Sequence, residues 1–124
     1  ETRRAPKAAA VGSVPWPRPK SSTWGTLPIQ SSLLRLTAQT CAGAAKHGRW
    51  VGVCGALASD PLATPVLVGL GVRELSVSPP QIGEIKARVR QLDTVKCACL
   101  SAELLNLASA AAVRQACHQH WPLG

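Results

Sequence analysis

From Ser32 onward, apolar residues recur at three- and four-residue intervals, which predicts an amphipathic helix. The stretch that carries this pattern is SSLLRLTAQTCAGAAKHG. Ser31 or Ser32 is the predicted N-terminal cap, and Gly48 is the predicted stop. The predicted core face of this helix carries Leu33, Leu36, Ala38 or Thr40, and Ala44.

Two short β-branched runs follow this helix, with a short apolar helix between them. The first predicted strand is Trp50–Cys54 and the second is Glu74–Val77. Between them, Asp60 before a proline is typical of a helix start, and Gly69 or Gly71 is typical of its end. Strands that alternate with helices predict a parallel sheet of buried strands. Two strands are too few for a stable parallel sheet, so we expect them to belong to a larger one.

The remaining sequence has the spacing of three more helices. The first follows two prolines and carries Ile82, Ile85, Val89 and Leu92 on its apolar side, with Lys86, Arg88 and Arg90 on a basic outer face. The second is predicted from Asp93 to about Leu107, and the third from a cap at Ser109 to about His118. The predicted order is helix, strand, helix, strand, helix, helix, helix, which is an α/β arrangement.

Residues 1–30 are predicted to form a separate, disordered arm rich in proline and arginine. The arm has one acidic residue, and its basic residues are Arg3, Arg4, Lys7, Arg18 and Lys20. Its prolines interrupt both helices and strands. The predicted domain therefore occupies residues 31–124.

The formal net charge of the chain is +8, which permits binding to an anionic partner. However, nine of the fourteen basic residues are scattered over residues 21–124, and the chain has no Phe or Tyr to stack on bases. Nucleic-acid binding is therefore a minor hypothesis, although a basic anion-binding fragment stays open as an alternative function. No apolar run approaches the roughly 18 residues that span a bilayer, so we predict no membrane span.

The five cysteines lack the regular spacing of a disulfide framework or a metal site. Cys97 and Cys99 are too close together for a CxxC pair. Cys117, His118 and His120 lack the three- or four-residue spacing that places two metal ligands on one helical face. We therefore expect reduced thiols, a cytoplasmic protein and no metal ligand in this chain.

Three sequence elements together resemble a known family. They are GVCG, ASDPLATPVLVGLG and ELSVSP, which follow one another within about thirty residues. They are similar to the end of the phosphoenolpyruvate-binding barrel in Enzyme I of the sugar phosphotransferase system and in the fructose-branch multiphosphoryl transfer proteins. Pyruvate phosphate dikinase and phosphoenolpyruvate synthase share this barrel. The resemblance covers about Leu33 to Leu92, and more loosely the helices to His118.

The resemblance implies that the chain forms the last two strands, with their helices, of a (β/α)8 TIM barrel. Trp50–Cys54 would be the seventh strand and Glu74–Val77 the eighth. Functional residues of such barrels lie at the carboxyl ends of strands, where Cys54 ends the seventh. In the family this cysteine is the proton donor and acceptor at the methylene carbon of enolpyruvate, so Cys54 is the expected catalytic residue. The alternative is a cysteine that packs as a small apolar side chain.

Residues around Cys54 receive weaker assignments. Gly52 and Gly55 are predicted to bind substrate, because glycine lets the backbone approach a ligand closely. Asp60 matches a family position, but we expect it first to cap a helix. Ser76 and Ser78 are first of all packing and turn residues.

The resemblance implies phosphoryl transfer from phosphoenolpyruvate to a histidine of the sugar phosphotransferase system, with release of pyruvate. The complete enzyme is expected to use Mg²⁺ and a phosphocarrier protein. The matching magnesium carboxylates and phosphate-binding arginines are not found in this sequence. A barrel of this kind needs about 250 residues, so we expect a C-terminal fragment that has no turnover alone. The alternative function is a non-catalytic interaction module that forms a homodimer or docks onto a complete subunit.

Overall fold

The computed structural model describes residues 29–122, which form a helix-rich α/β structure around a small parallel sheet. In chain order the elements are α1 (Ser31–Lys46), β1 (Gly52–Cys54), α2 (Ala63–Gly69), β2 (Glu74–Ser76), a 3₁₀ turn (Pro79–Gln81), α3 (Ile82–Arg90), α4 (Thr94–Leu104) and α5 (Ala110–His120). The predicted order of elements is confirmed, and the predicted boundaries differ from these by a few residues. Apart from Ile29 and Gln30, the predicted arm lies outside the described residues.

The two strands pair in parallel over three residues each. Cys54 at the end of β1 lies opposite Ser76 at the end of β2, and Val53 lies opposite Leu75. The prediction of buried strands was wrong, because the first and third residues of each strand are exposed and only the middle residue is half-buried. Successive side chains of a strand point to opposite faces. Residues 29–122 therefore cover one face of the sheet and leave the other open.

Each helix that precedes a strand ends in a glycine turn of the Schellman type. Gly48 follows α1 with φ 63°, and Gly71 follows α2 with φ 94°. The closing bonds join the Arg49 N–H to the Ala44 carbonyl at 3.0 Å and the Val72 N–H to the Leu67 carbonyl at 3.0 Å. These turns satisfy carbonyls that a helix end leaves free and direct the chain into the following strand. The glycine predicted to stop α1 is thereby confirmed.

The short helix α2 lies at the centre of the core. Its residues from Ala63 to Leu67 are all buried, as expected for a helix that is apolar on every side. The buried cluster around it contains Ile29, Leu34, Cys41, Leu62, Ala63, Val66, Leu67, Val72, Leu104, Val113 and Cys117. These residues come from α1, α2, α4, α5 and the segments that flank them, so the helices share one core.

The closest helix packing occurs where α4 crosses α2 at Gly69. A Cβ atom added at Gly69 would overlap the backbone carbonyl of Cys97 and the hydroxyl of Ser101. Ser101 is buried, and its hydroxyl donates a hydrogen bond of 3.1 Å to the carbonyl of Val66. Glycine at residue 69 is therefore required by the distance between two helices.

The predicted core face and cap of α1 were wrong. The buried residues of this helix are Leu34 and Cys41, whereas Leu33 and Leu36 are 41% and 61% exposed. The sequence LLRL has three leucines, so the helix could turn more than one apolar face toward the core. In the structure, Leu34 is the leucine that packs against the core. The helix begins after Gln30 without a side-chain cap, because both serines proposed as caps lie inside the first turn.

The residues that are buried and exposed on α3 also differ from those predicted. Ile85 is buried, but Ile82 is 50% exposed. Arg88 was predicted on a solvated basic face, yet it is half-buried. Its guanidinium donates to the carbonyls of Trp121 at 2.7 Å and Pro122 at 3.1 Å. These bonds attach the end of the described chain to α3.

The close packing at Gly69 yields a test of the fold. Gly69→Ala should lower the free energy of unfolding by roughly 1–3 kcal/mol or more, the usual cost of overpacking a core. The added methyl group meets backbone of α4, which cannot move aside as a flexible side chain would. Urea unfolding followed by circular dichroism measures the change.

Gly43→Ala is the matched control. Gly43 lies within α1, and a Cβ atom added there has open space around it. Alanine in a helix interior should stabilise by roughly 0.5–1 kcal/mol relative to glycine. Equal effects of the two substitutions would contradict the assigned contact between α2 and α4.

Candidate active site

The thiol of Cys54 lies at the carboxyl end of β1 and is free and exposed. Ser76 lies directly opposite at the carboxyl end of the parallel strand β2. The chain turns away from the strand immediately after Cys54, because Gly55 has φ 84°. Residues that carry a Cβ atom rarely adopt this backbone conformation. The sequence therefore places a free thiol at the edge of the sheet where parallel strands of α/β proteins carry their ligands.

Glycine is favoured at the two positions beside Cys54 for different physical reasons. A Cβ atom added at Gly52 would lie 3.4 Å from atoms of Glu74 and Trp50, so the neighbouring strand limits the space there. A Cβ atom at Gly55 would meet nothing within 4 Å, and the positive φ is what favours glycine. The open space at Gly55 is compatible with a ligand close to the backbone, and the binding roles of both glycines stay predictions.

The six residues after Cys54 form a compact loop. The Ser59 N–H donates to the Gly55 carbonyl at 3.3 Å, and the Asp60 N–H donates to the Leu57 carbonyl at 3.3 Å. Ala58 is completely buried, which fixes the middle of the loop to the core. The loop thus connects the exposed thiol to α2 by a continuous set of contacts.

Asp60 ends this loop and caps the turn at Pro61 and Leu62 that leads into α2. The helix α2 itself begins after Leu62 without a side-chain cap, so Asp60 is not its N-cap as predicted. One carboxylate oxygen, Oδ1, accepts the N–H of Leu62 at 2.9 Å, and the carbonyl of Asp60 accepts the N–H groups of Ala63 and Thr64. The other oxygen, Oδ2, lies 3.2 Å from Nη1 of Arg114 on α5. This ion pair was not predicted, because the two residues are 54 positions apart and nothing local in the sequence links them.

The other cysteines have different surroundings, apart from Cys99, which is also exposed. Cys41, Cys97 and Cys117 are buried, and burial raises the pKa of each thiol. The pKa of Cys117 rises to about 11, mainly by burial and further by the nearby Asp60 carboxylate. A buried thiol of high pKa is a poor acid near neutral pH, so these three cysteines pack as apolar residues.

Of the two serines near the site, Ser78 has the turn role expected of it, whereas Ser76 does not pack into the core. Ser78 precedes the 3₁₀ turn, and its hydroxyl donates to Oε1 of Gln81 at 2.6 Å. Ser76 is exposed at the end of β2, next to the strand that carries Cys54.

No group of three His, Cys, Asp or Glu side chains in the described part of the chain could hold a metal ion. The side chains present here therefore do not fit a magnesium site. Between Ile29 and Pro122, no helix is both long and apolar enough to cross a membrane.

Comparison with known families gives one match, the PEP-utilising enzyme, PEP-binding domain, over residues 22–94. The match includes α1, both strands, α2 and α3, and it ends where α4 begins. The Gly69 contact and the Asp60–Arg114 pair nevertheless join α4 and α5 to the matched part, so the folded unit continues beyond it.

Several known proteins are similar to part of the chain. A multiphosphoryl transfer protein of Xanthomonas campestris pv. campestris is 52% identical over 62 residues, which are 50% of this chain and 7% of that protein. Multiphosphoryl transfer protein 1 of Escherichia coli K12 is 41% identical over 83 residues, or 67% of this chain and 10% of its own length. A phosphoenolpyruvate-protein phosphotransferase of Bacillus sp. (strain S) is 36% identical over 83 residues, or 67% and 14%. The chain thus spans a small part of the length of these relatives.

The exposure of Cys54 can be tested by comparing the alkylation rates of the five thiols of this chain. Iodoacetamide at about pH 8 should modify Cys54 and Cys99 in the folded protein. Cys97 and Cys117 should react at least about 100-fold more slowly, because alkylation requires an opening of the core and a thiolate. Peptide mass spectrometry measures each rate.

Denaturant provides the control, since all five thiols should react at similar rates in the unfolded chain. Raising the pH to about 9 should leave Cys117 slow, because its pKa is about 11. Protection of Cys54 equal to that of Cys117 would mean that the thiol of Cys54 is buried and cannot act on a ligand.

Proposed function

Because this chain belongs to the PEP-utilising enzymes through their PEP-binding domain, we propose that it is the C-terminal part of a phosphoenolpyruvate-dependent protein phosphotransferase. The observation that carries this proposal is the free, exposed thiol of Cys54 at the carboxyl end of a parallel strand. The names of the similar proteins support the same class, since they include phosphoenolpyruvate-protein phosphotransferases and multiphosphoryl transfer proteins.

In the proposed reaction, the phosphoryl group of phosphoenolpyruvate passes to a histidine of an acceptor domain. The P–O bond to the enol oxygen breaks, and its electron pair remains on the enolate of pyruvate. The S–H of Cys54 then donates its proton to the methylene carbon, which gives the methyl group of pyruvate. Water restores the proton on sulfur. A thiol held close to the methylene carbon can serve as the general acid in this step.

The proposed barrel accounts for the open face of the sheet. Parallel sheets are normally covered on both faces, whereas β1 and β2 have one covered face within residues 29–122. In the complete enzyme, further strands would extend the sheet into a TIM barrel, with β1 and β2 as its seventh and eighth strands. The inward face would then line the substrate pocket, and Gly52 and Gly55 would allow the substrate to approach the backbone.

The remaining chemistry of the complete enzyme would lie outside residues 29–122. Magnesium would supply positive charge to the complete enzyme, and its carboxylate ligands are proposed to lie on the other strands of the barrel. The phosphocarrier protein that receives the phosphoryl group would act in the cytoplasm, within the sugar transport system. The isolated chain is therefore expected to be inactive.

A chimaera tests the role of Cys54. Residues 31–122 of this chain would replace the equivalent segment of the Xanthomonas multiphosphoryl transfer protein, which supplies the rest of the barrel. Cys54→Ala in the chimaera should lower the rate of pyruvate formation from phosphoenolpyruvate by ~10²–10⁴, the usual contribution of general acid catalysis. KM for phosphoenolpyruvate should change little, because the thiol acts on carbon and not on the phosphate.

Cys99→Ala is the matched control, because Cys99 is the other exposed cysteine and lies on α4. Its chimaera should keep the parent rate. An active chimaera whose Cys54→Ala variant retains full turnover would show that the thiol is not catalytic. The chain without the chimaeric partner should form no pyruvate.

A second candidate function is an interaction module, which the exposed apolar residues favour. An apolar groove of about 490 Å³ lies between β2 and α3, and its lining includes Leu75, Ile82 and Val89. Elsewhere, Trp50 and Val95 are 62% and 71% exposed. Apolar patches of this kind commonly mark association sites.

If this surface associates, the mass from light scattering should exceed 13.0 kDa at micromolar concentration and rise with concentration. Ile82→Lys should then shift the distribution toward the monomer, because it places a charge in the groove. Gln91→Lys, which adds the same charge at an exposed residue outside the lining of the groove, is the control for charge alone. A monodisperse monomer at all concentrations would exclude this function.

A further inference from the structure

The loop that follows Cys54 is held in place by a helix outside the family match. Arg114 on α5 reaches Asp60 at the end of this loop, with Nη1 and Oδ2 3.2 Å apart. No other ion pair occurs among residues 29–122. We propose that Arg114 is a positioning residue, which holds the Cys54 loop through Asp60 in the geometry that proton transfer requires. This inference rests on the proposed function of Cys54.

The loop through which Arg114 would act is internally hydrogen-bonded and anchored in the core. It spans six residues from Gly55 to Asp60, and two internal hydrogen bonds of 3.3 Å close it, from Ser59 to Gly55 and from Asp60 to Leu57. Ala58 is buried without exposed surface. We therefore expect a displacement of Asp60 to be passed along these contacts to Gly55, next to the thiol.

The carboxylate of Asp60 makes one contact with the turn into α2 and another with α5. Oδ1 accepts the N–H of Leu62 at the start of the turn into α2, while Oδ2 faces Arg114. The side chains of Asp60 and Arg114 are 16% and 30% exposed. Partial burial reduces the screening of the pair by water and makes it stronger than a fully exposed pair.

The packing of α5 fixes the backbone position from which Arg114 donates to Asp60. Val113 and Cys117, on either side of it along the helix, are both completely buried. The helix is capped by Ser109, whose hydroxyl oxygen accepts the N–H of Ala112 at 3.2 Å. The backbone of Arg114 is thus anchored in the core, and the guanidinium extends from it to the loop.

Hydrogen–deuterium exchange on the full chain tests the structural part of the proposal. Arg114→Gln should speed exchange of the amides of residues 55–64 by roughly three- to tenfold, since a charge-assisted contact is lost. Exchange in α4 should stay at its parent rate. Arg114→Lys keeps the charge and should restore protection to within about twofold of the parent.

Two further variants separate the ion pair from general effects. Arg90→Gln removes the same charge from an exposed position on α3 and should leave exchange in residues 55–64 unchanged. Asp60→Asn keeps the Oδ1 acceptor for Leu62 but removes the charge that faces Arg114. The double variant Asp60→Asn/Arg114→Gln should exchange no faster in the loop than the faster single variant, because both remove one interaction.

The chimaera described above tests the functional part. Arg114→Gln should lower kcat for pyruvate formation about tenfold with KM for phosphoenolpyruvate nearly unchanged, because small misplacements of a reacting group are costly. Arg114→Lys should recover most of this loss. Arg90→Gln should have the parent kcat.

The outcomes distinguish this inference from the function on which it rests. If Cys54→Ala retains turnover, the proposed function of the thiol fails, whatever Arg114 does. If Cys54→Ala loses turnover while Arg114→Gln keeps the parent kcat, the positioning role is wrong and the function stands. If Arg114→Gln speeds exchange in α4 as much as in the loop, the residue supports global stability only, and the inference is overturned.

Discussion

The packing of α4 against Gly69 is the constraint on which the rest of the structure depends. The helix that contains Gly69 has only seven residues, and five of them in sequence are buried. So short a helix has little stability of its own, and its neighbours must hold it. The close approach at Gly69, with the hydrogen bond from Ser101 to Val66, supplies the tightest of these contacts. Because α2 lies between β1 and β2 in the chain, its placement also sets the positions of both strands.

In contrast to the tightly packed helix α2, the sheet is largely exposed, since the described residues leave one of its faces uncovered. Three pairs of residues join the two strands, and a pair of strands needs further strands or covering helices for stability. The covered face joins the core through Val53 and Leu75, and the open face carries the end of β1 with Cys54. The helices stabilise the unit, while the open face is the part that is proposed to meet other strands and the substrate.

The sequence predicted the elements of this fold well and their contacts less well. Periodicity, capping residues and glycine stops are local signals, so the order of helices and strands, the glycine stop of α1 and the cap at Ser109 were all found. The buried face of α1 was missed because the choice between Leu33 and Leu34 depends on distant neighbours. The Asp60–Arg114 pair and the bonds from Arg88 to the chain end have no local signal for the same reason. The position of Cys54 at a strand end was predicted, but its exposure depends on which faces other elements cover.

The five cysteines show why tertiary position decides the chemistry of a residue type. Cys117 and Cys97 are buried on helices, where low polarity raises the thiol pKa and neighbouring side chains exclude reactants. Cys99 is exposed on the surface of α4, outside the two strands. Cys54 alone combines exposure with the carboxyl end of a parallel strand and a glycine turn behind it. A proton donor must reach its acceptor and also be held in one place. The strand exposes the thiol, and the loop from Gly55 to Asp60 ties it to the core, so the site combines access with restraint.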